Sequence, residues 1–140
     1  PESVVERCGI VFDQMEVCAA RPMQRGVQRA LEQLPDSYYT DLQATYQRKR
    51  DLFCSALEDA GFRLRRPQGA YYVMADYRDL LGAVTPYEAT MKLIERIGVN
   101  GVPGDLFHAS PDGIHTIRYQ FAVEPKVLED ACARFRGLAQ

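Results

Sequence analysis

The spacing of apolar residues changes at Gly61, and that change limits the fold of this 140-residue chain more than any other feature. Upstream, Leu42, Tyr46, Lys49, Phe53, Leu57 and Ala60 recur at steps of three and four, the period of one helix face, and Gly61 is placed to end that helix. Downstream the runs are short and turn-bounded. Phe62-Arg63-Leu64 reads as a brief strand, and Pro67-Gln68-Gly69 turns the chain into Ala70–Asp76, an aromatic and β-branched run suited to a strand. Thr85 followed by Pro86 starts a helix predicted to carry Met91, Ile94 and Ile97 inward. Gly98–Val102 reads as a short strand closed by Pro103-Gly104, with turn residues later at Ser110-Pro111-Asp112-Gly113. Ile114–Ala122 is the strongest strand, and Glu124-Pro125 opens a last helix striped by Val127, Leu128, Ala131, Cys132, Phe135 and Leu138.

The first third is helical throughout. Residues 3–20 are apolar without alternation, which predicts a helix with a wide apolar face and a possible break at Gly9. Pro22 suits the first turn of a second helix reaching Leu34, and Pro35-Asp36-Ser37 stops it and caps the third. Three helices followed by ββαββα alternation predict an α+β fold: a small, mostly antiparallel sheet covered on one face by helices. The domain is expected over residues 36–140, with an N-terminal helical arm over 1–35. The arm's broad apolar face needs a partner, so self-association through residues 1–34 is expected.

Composition narrows the function classes. Hydrophobic residues at 46% and charged residues at 26% are enough to build a core. Seventeen Lys and Arg against 19 Asp and Glu leave a net charge of −2, with no bulk attraction to nucleic acid. The positive charge is almost all arginine, the lysines being Lys49, Lys92 and Lys126. No apolar run approaches the roughly 20 residues a membrane span requires. The start, Pro1-Glu2-Ser3, has neither an initiator Met nor a basic-then-apolar leader, and reads as a cut inside a longer chain. Cys8, Cys18, Cys54 and Cys132 lack a CxxC pair and sit in apolar helical contexts, the pattern of reduced thiols acting as small hydrophobes in a cytoplasmic protein. No cysteine has metal-ligand spacing with His108 or His115.

The strand Ile114–Ala122 carries the best candidate for chemistry. Alternation sends Ile117, Tyr119 and Phe121 toward the helices and Thr116, Arg118 and Gln120 to the opposite face. A mid-strand guanidinium is permanently charged and presents a fork that matches a carboxylate or phosphate. Arg118 reads either as a solvated arginine on an open sheet face or as the anchor of a small anionic ligand. The neighbouring Pro103-Gly104 turn and the aromatics Tyr71 and Tyr72 suit the second reading. The two tyrosines are expected to project to opposite faces, with Gly69 allowing a close backbone approach. Pro103-Gly104 fits a type II turn with positive φ at the glycine. Other constellations are weak: His108 and His115 flank a loop, Glu58-Asp59 and Glu129-Asp130 sit on exposed helix faces, and Arg63, Arg65 and Arg66 lack interleaved aromatics.

In order and spacing, Tyr46…Arg48-Lys49-Arg50-Asp51…Leu57…Gly61-Phe62…Pro67-Gln68-Gly69-Ala70-Tyr71-Tyr72-Val73…Asp76 resembles the C-terminal, small domain of class I/II aminotransferases, fold type I enzymes dependent on pyridoxal phosphate. The continuation Gly98-Val99…Pro103-Gly104…Phe107…Ile117-Arg118-Tyr119-Gln120-Phe121-Ala122 is similar to that family's closing segment, and Arg21-Pro22-Met23-Gln24 to its helix leaving the large domain. The resemblance implies transfer of an amino group between an amino acid and a 2-oxo acid, in a cytoplasmic homodimer or other homo-oligomer. It implies that Arg118 binds the substrate carboxylate, that Tyr71, with Tyr72 as second choice, lines the pocket, and that Phe107 supports its entrance. It also implies a missing large domain. The family's Schiff-base lysine has no counterpart in Lys49, Lys92 or Lys126, so pyridoxal phosphate is not expected to be covalently bound here, no residue is assigned as catalytic, and the chain alone should not transaminate. The other reading is a stand-alone, non-catalytic module that binds a small carboxylate or a protein.

Overall fold

In the computed structural model the described residues are 1–16, 18–110 and 112–139; Val17 of the arm and Pro111 of the expected Ser110–Gly113 turn lie outside them. The chain divides into two compact units, Pro1–Thr40 and Asp41–Gln140. The first holds helices α1 (Glu2–Met15) and α2 (Arg21–Gln33) and the first turn of α3 (Asp36–Asp59). α1 runs through Gly9 without the expected break. Neither α1 nor α2 buries a residue, and Val4, Val5, Ile10, Val11, Phe12 and Met15 all remain exposed. Cys8 and Cys18 are exposed as well, so the role of small core hydrophobe falls to Cys54 and Cys132 alone.

The second unit is built on a four-stranded antiparallel sheet in the order β1-β2-β4-β3, from β1 (Arg63–Leu64), β2 (Tyr72–Asp76), β3 (Val102–Pro103) and β4 (Thr116–Gln120). The remaining helices are α4 (Arg78–Leu81), which the sequence pattern did not predict, α5 (Pro86–Ile97) and α6 (Pro125–Arg136). The expected α+β fold is the one observed. The strands are shorter than predicted: Gly98–Gly101 is irregular and only Val102 and Pro103 pair with β4. Proline is tolerated there because β3 is an edge strand.

Gly61 ends α3 as its position implies, with φ +95°. Phe62 N–H donates to the Leu57 carbonyl at 3.0 Å and Gly61 N–H to that of Glu58 at 3.0 Å, the paired bonds of a Schellman motif. The motif drops Phe62 into the core, where the rings of Phe53, Phe62, Tyr119 and Phe135 meet edge to face at 5.2–6.2 Å between centroids. Thr85 and Glu88 form a complete capping box at the start of α5. The buried face of α5 is Pro86, Ala89, Thr90 and Leu93; of the predicted stripe Ile97 packs against the core and Ile94 is half-buried, while Met91, one step off the helical register, points out. On α6 the buried residues are Leu128, Cys132 and Phe135, while Val127 is exposed.

Candidate functional site

β4 lies between β2 and β3, so Arg118 is held from both sides: it is opposite Met74 on β2 and Val102 on β3. Ile117, Tyr119 and Phe121 are buried toward the helices, and Thr116, Arg118 and Gln120 occupy the other face, as alternation predicts. Among the described residues two arginines are partly withdrawn from solvent, Arg50 and Arg118, and they are satisfied differently. Arg50 is closed off by protein acceptors, with Nη2 at 2.7 Å from Asp51 and Nη1 donating to the Pro67 carbonyl at 3.2 Å. Arg118 has no carboxylate or carbonyl partner among the described residues. Its Cζ lies instead 4.5 Å from the Phe107 ring centroid and 5.2 Å from that of Tyr72. The N–H fork is left free for an acceptor from outside.

The open side of Arg118 faces a cleft of about 250 Å³ lined by Tyr71, Asn100, Gly101, Val102, Arg118 and Gln120. Tyr71 precedes β2 and does not alternate with Tyr72 onto the opposite face. The two rings meet edge to face at 5.7 Å, on the Arg118 side of the sheet. The unusual backbone before them is at Ala70, whose φ of 63° is left-handed, and not at Gly69, beside which there is open space. Pro103-Gly104 is not a type II turn with positive φ either. Gly104 begins a 3₁₀ turn (Gly104–Phe107), and glycine is required because a Cβ there would collide with the Thr116 Oγ1 and carbonyl.

As lining residues, sequence reasoning missed Asn100, Gly101, Val102 and Gln120. Gln120 shares the parity of Arg118 on β4 and could have been found from that; Asn100 and Gly101 come from a distant segment with no local signal. His108 is exposed, and His115 is half-buried, its ring 6.2 Å from that of Tyr77. Neither lines the cleft. Burial and the nearby Asp105 carboxylate push the Tyr77 phenol up to about 12, and its hydroxyl donates to the Val84 carbonyl at 2.8 Å. Arg78, at 2.6 Å, holds the Asp76 carboxyl below its ordinary range.

The class I and II aminotransferase family matches residues 7–135. This chain belongs to that family. It is 31% identical over 148 aligned positions to the aspartate/prephenate aminotransferase of Cereibacter sphaeroides, covering 98% of this chain and 35% of that protein. Escherichia coli YbdL, a methionine aminotransferase, superposes with a TM-score of 0.81 at 25% identity, over 99% of this chain and 36% of that one. The N-succinyldiaminopimelate aminotransferase of Mycobacterium tuberculosis gives 0.80 at 26% identity, with the same coverage of 99% and 36%. The chain thus spans about 35% of the length of the relatives it matches.

Aminotransferases of this family generally use pyridoxal phosphate. Lys49 Nζ donates to the Val123 carbonyl at 2.7 Å and rests on the Tyr46 ring. Lys92 and Lys126 are exposed on α5 and α6, and none of the three lines the Arg118 cleft.

Proposed function

We propose that this aminotransferase chain holds the carboxylate of an amino acid and of the 2-oxo acid exchanged with it. Arg118 is the receiving cation, Tyr71 is a wall of its site, and the rings of Tyr72 and Phe107 flank the guanidinium, with Phe107 supporting the entrance. The observation that carries this reading is a half-buried guanidinium, fixed mid-sheet between two rings, with no acid among the described residues to neutralise it. Amino donor and 2-oxo acceptor differ at Cα but share the carboxylate, so one cation can orient both and leave Cα free to react. Residues 36–140 serve as the small domain and 1–35 as an arm whose exposed apolar face is covered in a homo-oligomer or by a large domain. No residue here is assigned the amine chemistry of pyridoxal phosphate. A cytoplasmic setting accords with the four unpaired thiols.

The test is a pair of ligands. Alanine and pyruvate should each perturb the Arg118 side-chain resonances of the full chain, whereas ethylamine, which lacks the carboxylate, should not. Arg118→Gln should weaken both by about 2 kcal/mol, roughly 30-fold, the low end for truncating a charge-assisted pair because the cleft is open to water. Equal binding by parent and variant would end the assignment. Pyridoxal phosphate followed by borohydride should trap no specific lysine adduct.

A further inference from the structure

We propose that Phe107 is a positioning residue: Gly104, seated on Thr116, holds the Phe107 ring over Arg118 opposite Tyr72, so the guanidinium is set before a carboxylate arrives. The inference rests on the carboxylate reading above.

Three placements combine to give this arrangement. Pairing of Val102 with Arg118 and Pro103 with Ile117 brings the chain to the edge of β4 just before the 3₁₀ turn. Gly104 is buried directly against Thr116, closer than any residue with a Cβ could lie. In a 3₁₀ turn residues i and i+3 eclipse one another, so Phe107 projects on the same side as the vacant Cβ position of Gly104. Thr116 and Arg118 are likewise two apart on one face of β4. Glycine over Thr116 therefore places phenylalanine over Arg118, at 4.5 Å. Tyr72 approaches from β2, on the other flank of β4, at 5.2 Å.

Phe107 is 47% exposed, so packing into the core is not its main role. Its ring restricts a side chain that would otherwise lose rotamer freedom on gripping a ligand, and restriction in advance improves affinity.

The test uses the full chain, with propionate as probe and the Arg118 Nε–H and Cδ protons as reporters. In the parent those protons should be displaced upfield by the ring currents of Phe107 and Tyr72. Phe107→Leu and Gly104→Ala should return them toward ordinary positions and weaken propionate roughly fivefold. Phe107→Tyr should restore both shift and affinity, which a merely space-filling role would not require. Undisplaced Arg118 protons in the parent overturn the proposal. So does Phe107→Leu with parent-like affinity while Arg118→Gln loses binding. Propionate binding that survives Arg118→Gln overturns the carboxylate reading itself, and with it any role for Phe107 in binding. Phe107→Leu decides the matter if Gly104→Ala fails to fold.

Discussion

Tyr119 sits next to Arg118 in β4 but faces the core, and removing its hydroxyl should stabilise the protein. The ring is enclosed edge to face by Phe53 and Phe62, each at 6.2 Å, and by Phe135 at 5.2 Å. Its hydroxyl is buried without a hydrogen-bond partner among the described residues. An unpaired buried hydroxyl costs about 1–3 kcal/mol. Tyr119→Phe keeps the ring contacts and gives up only the dispersion of one oxygen, so a gain of about 1 kcal/mol is expected at neutral pH, or about 4 °C in melting temperature. The gain should grow in alkali. Burial pushes the phenol above its ordinary value of 10.0. As pH rises past that value the unfolded phenol loses its proton while the native one keeps it, and the parent loses about 1.4 kcal/mol of stability per pH unit. At pH 11 the variant's advantage should reach about 2.4 kcal/mol. Urea unfolding of both proteins at pH 7 and pH 11 measures this directly, and titrations common to both cancel in the difference. A variant less stable than the parent at pH 7, or an advantage that stays flat between the two pH values, would refute the reasoning.

Three further outcomes follow from the same geometry. Gly101→Ala should cost about 2 kcal/mol in chemical denaturation, because the added methyl meets Ile117 and the Tyr119 ring, both fully packed and unable to move aside. Thr85→Ala removes the hydroxyl that accepts from Glu88 N–H and should lower stability by about 1 kcal/mol, with faster amide exchange confined to the first turn of α5. Because Arg78 lowers the carboxyl of Asp76, the pair adds stability above the ordinary value of 3.8 that is lost as pH falls through the native value. Asp76→Asn should therefore flatten the acid limb of the stability curve, read as melting temperature between pH 6 and pH 2.

What could be read in advance depended on how local its cause was. The end of α3 at Gly61, the Thr85 cap and the two faces of β4 each follow from a few adjacent residues, and each was found where expected. The inward face of α5 was legible only in part: Ile97 packs against the core and Ile94 is half-buried, but Met91, the third member of that apolar set, points out. Only packing against the sheet selects Ala89, Thr90 and Leu93. Gly104 was recognised as a special position but for the wrong reason: a turn glycine and a close-packing glycine look alike in sequence, and Thr116, which separates the two cases, lies twelve residues away. The arginine of the site was legible from strand alternation. Its ring partners were named without their geometry, and Asn100 and Gly101 became visible only once β3 was laid beside β4.

The two glycines around β3 explain how so short a strand can hold one side of a binding site. Val102–Pro103 has two residues, an edge position and a proline that cannot donate, which is too little pairing to fix a segment by backbone hydrogen bonds alone. Gly101 approaches the core face of β4, against Ile117 and Tyr119, and Gly104 approaches the opposite face, against Thr116. The edge segment therefore grips β4 from both faces of the sheet, through two contacts that any side chain would abolish. The first contact ties the segment to the aromatic core, and the second sets the turn that carries Phe107 over Arg118. The two substitutions should accordingly separate. A methyl at Gly101 acts on the core and costs stability first, whereas a methyl at Gly104 acts on the open face and costs guanidinium orientation first, although only two residues lie between them.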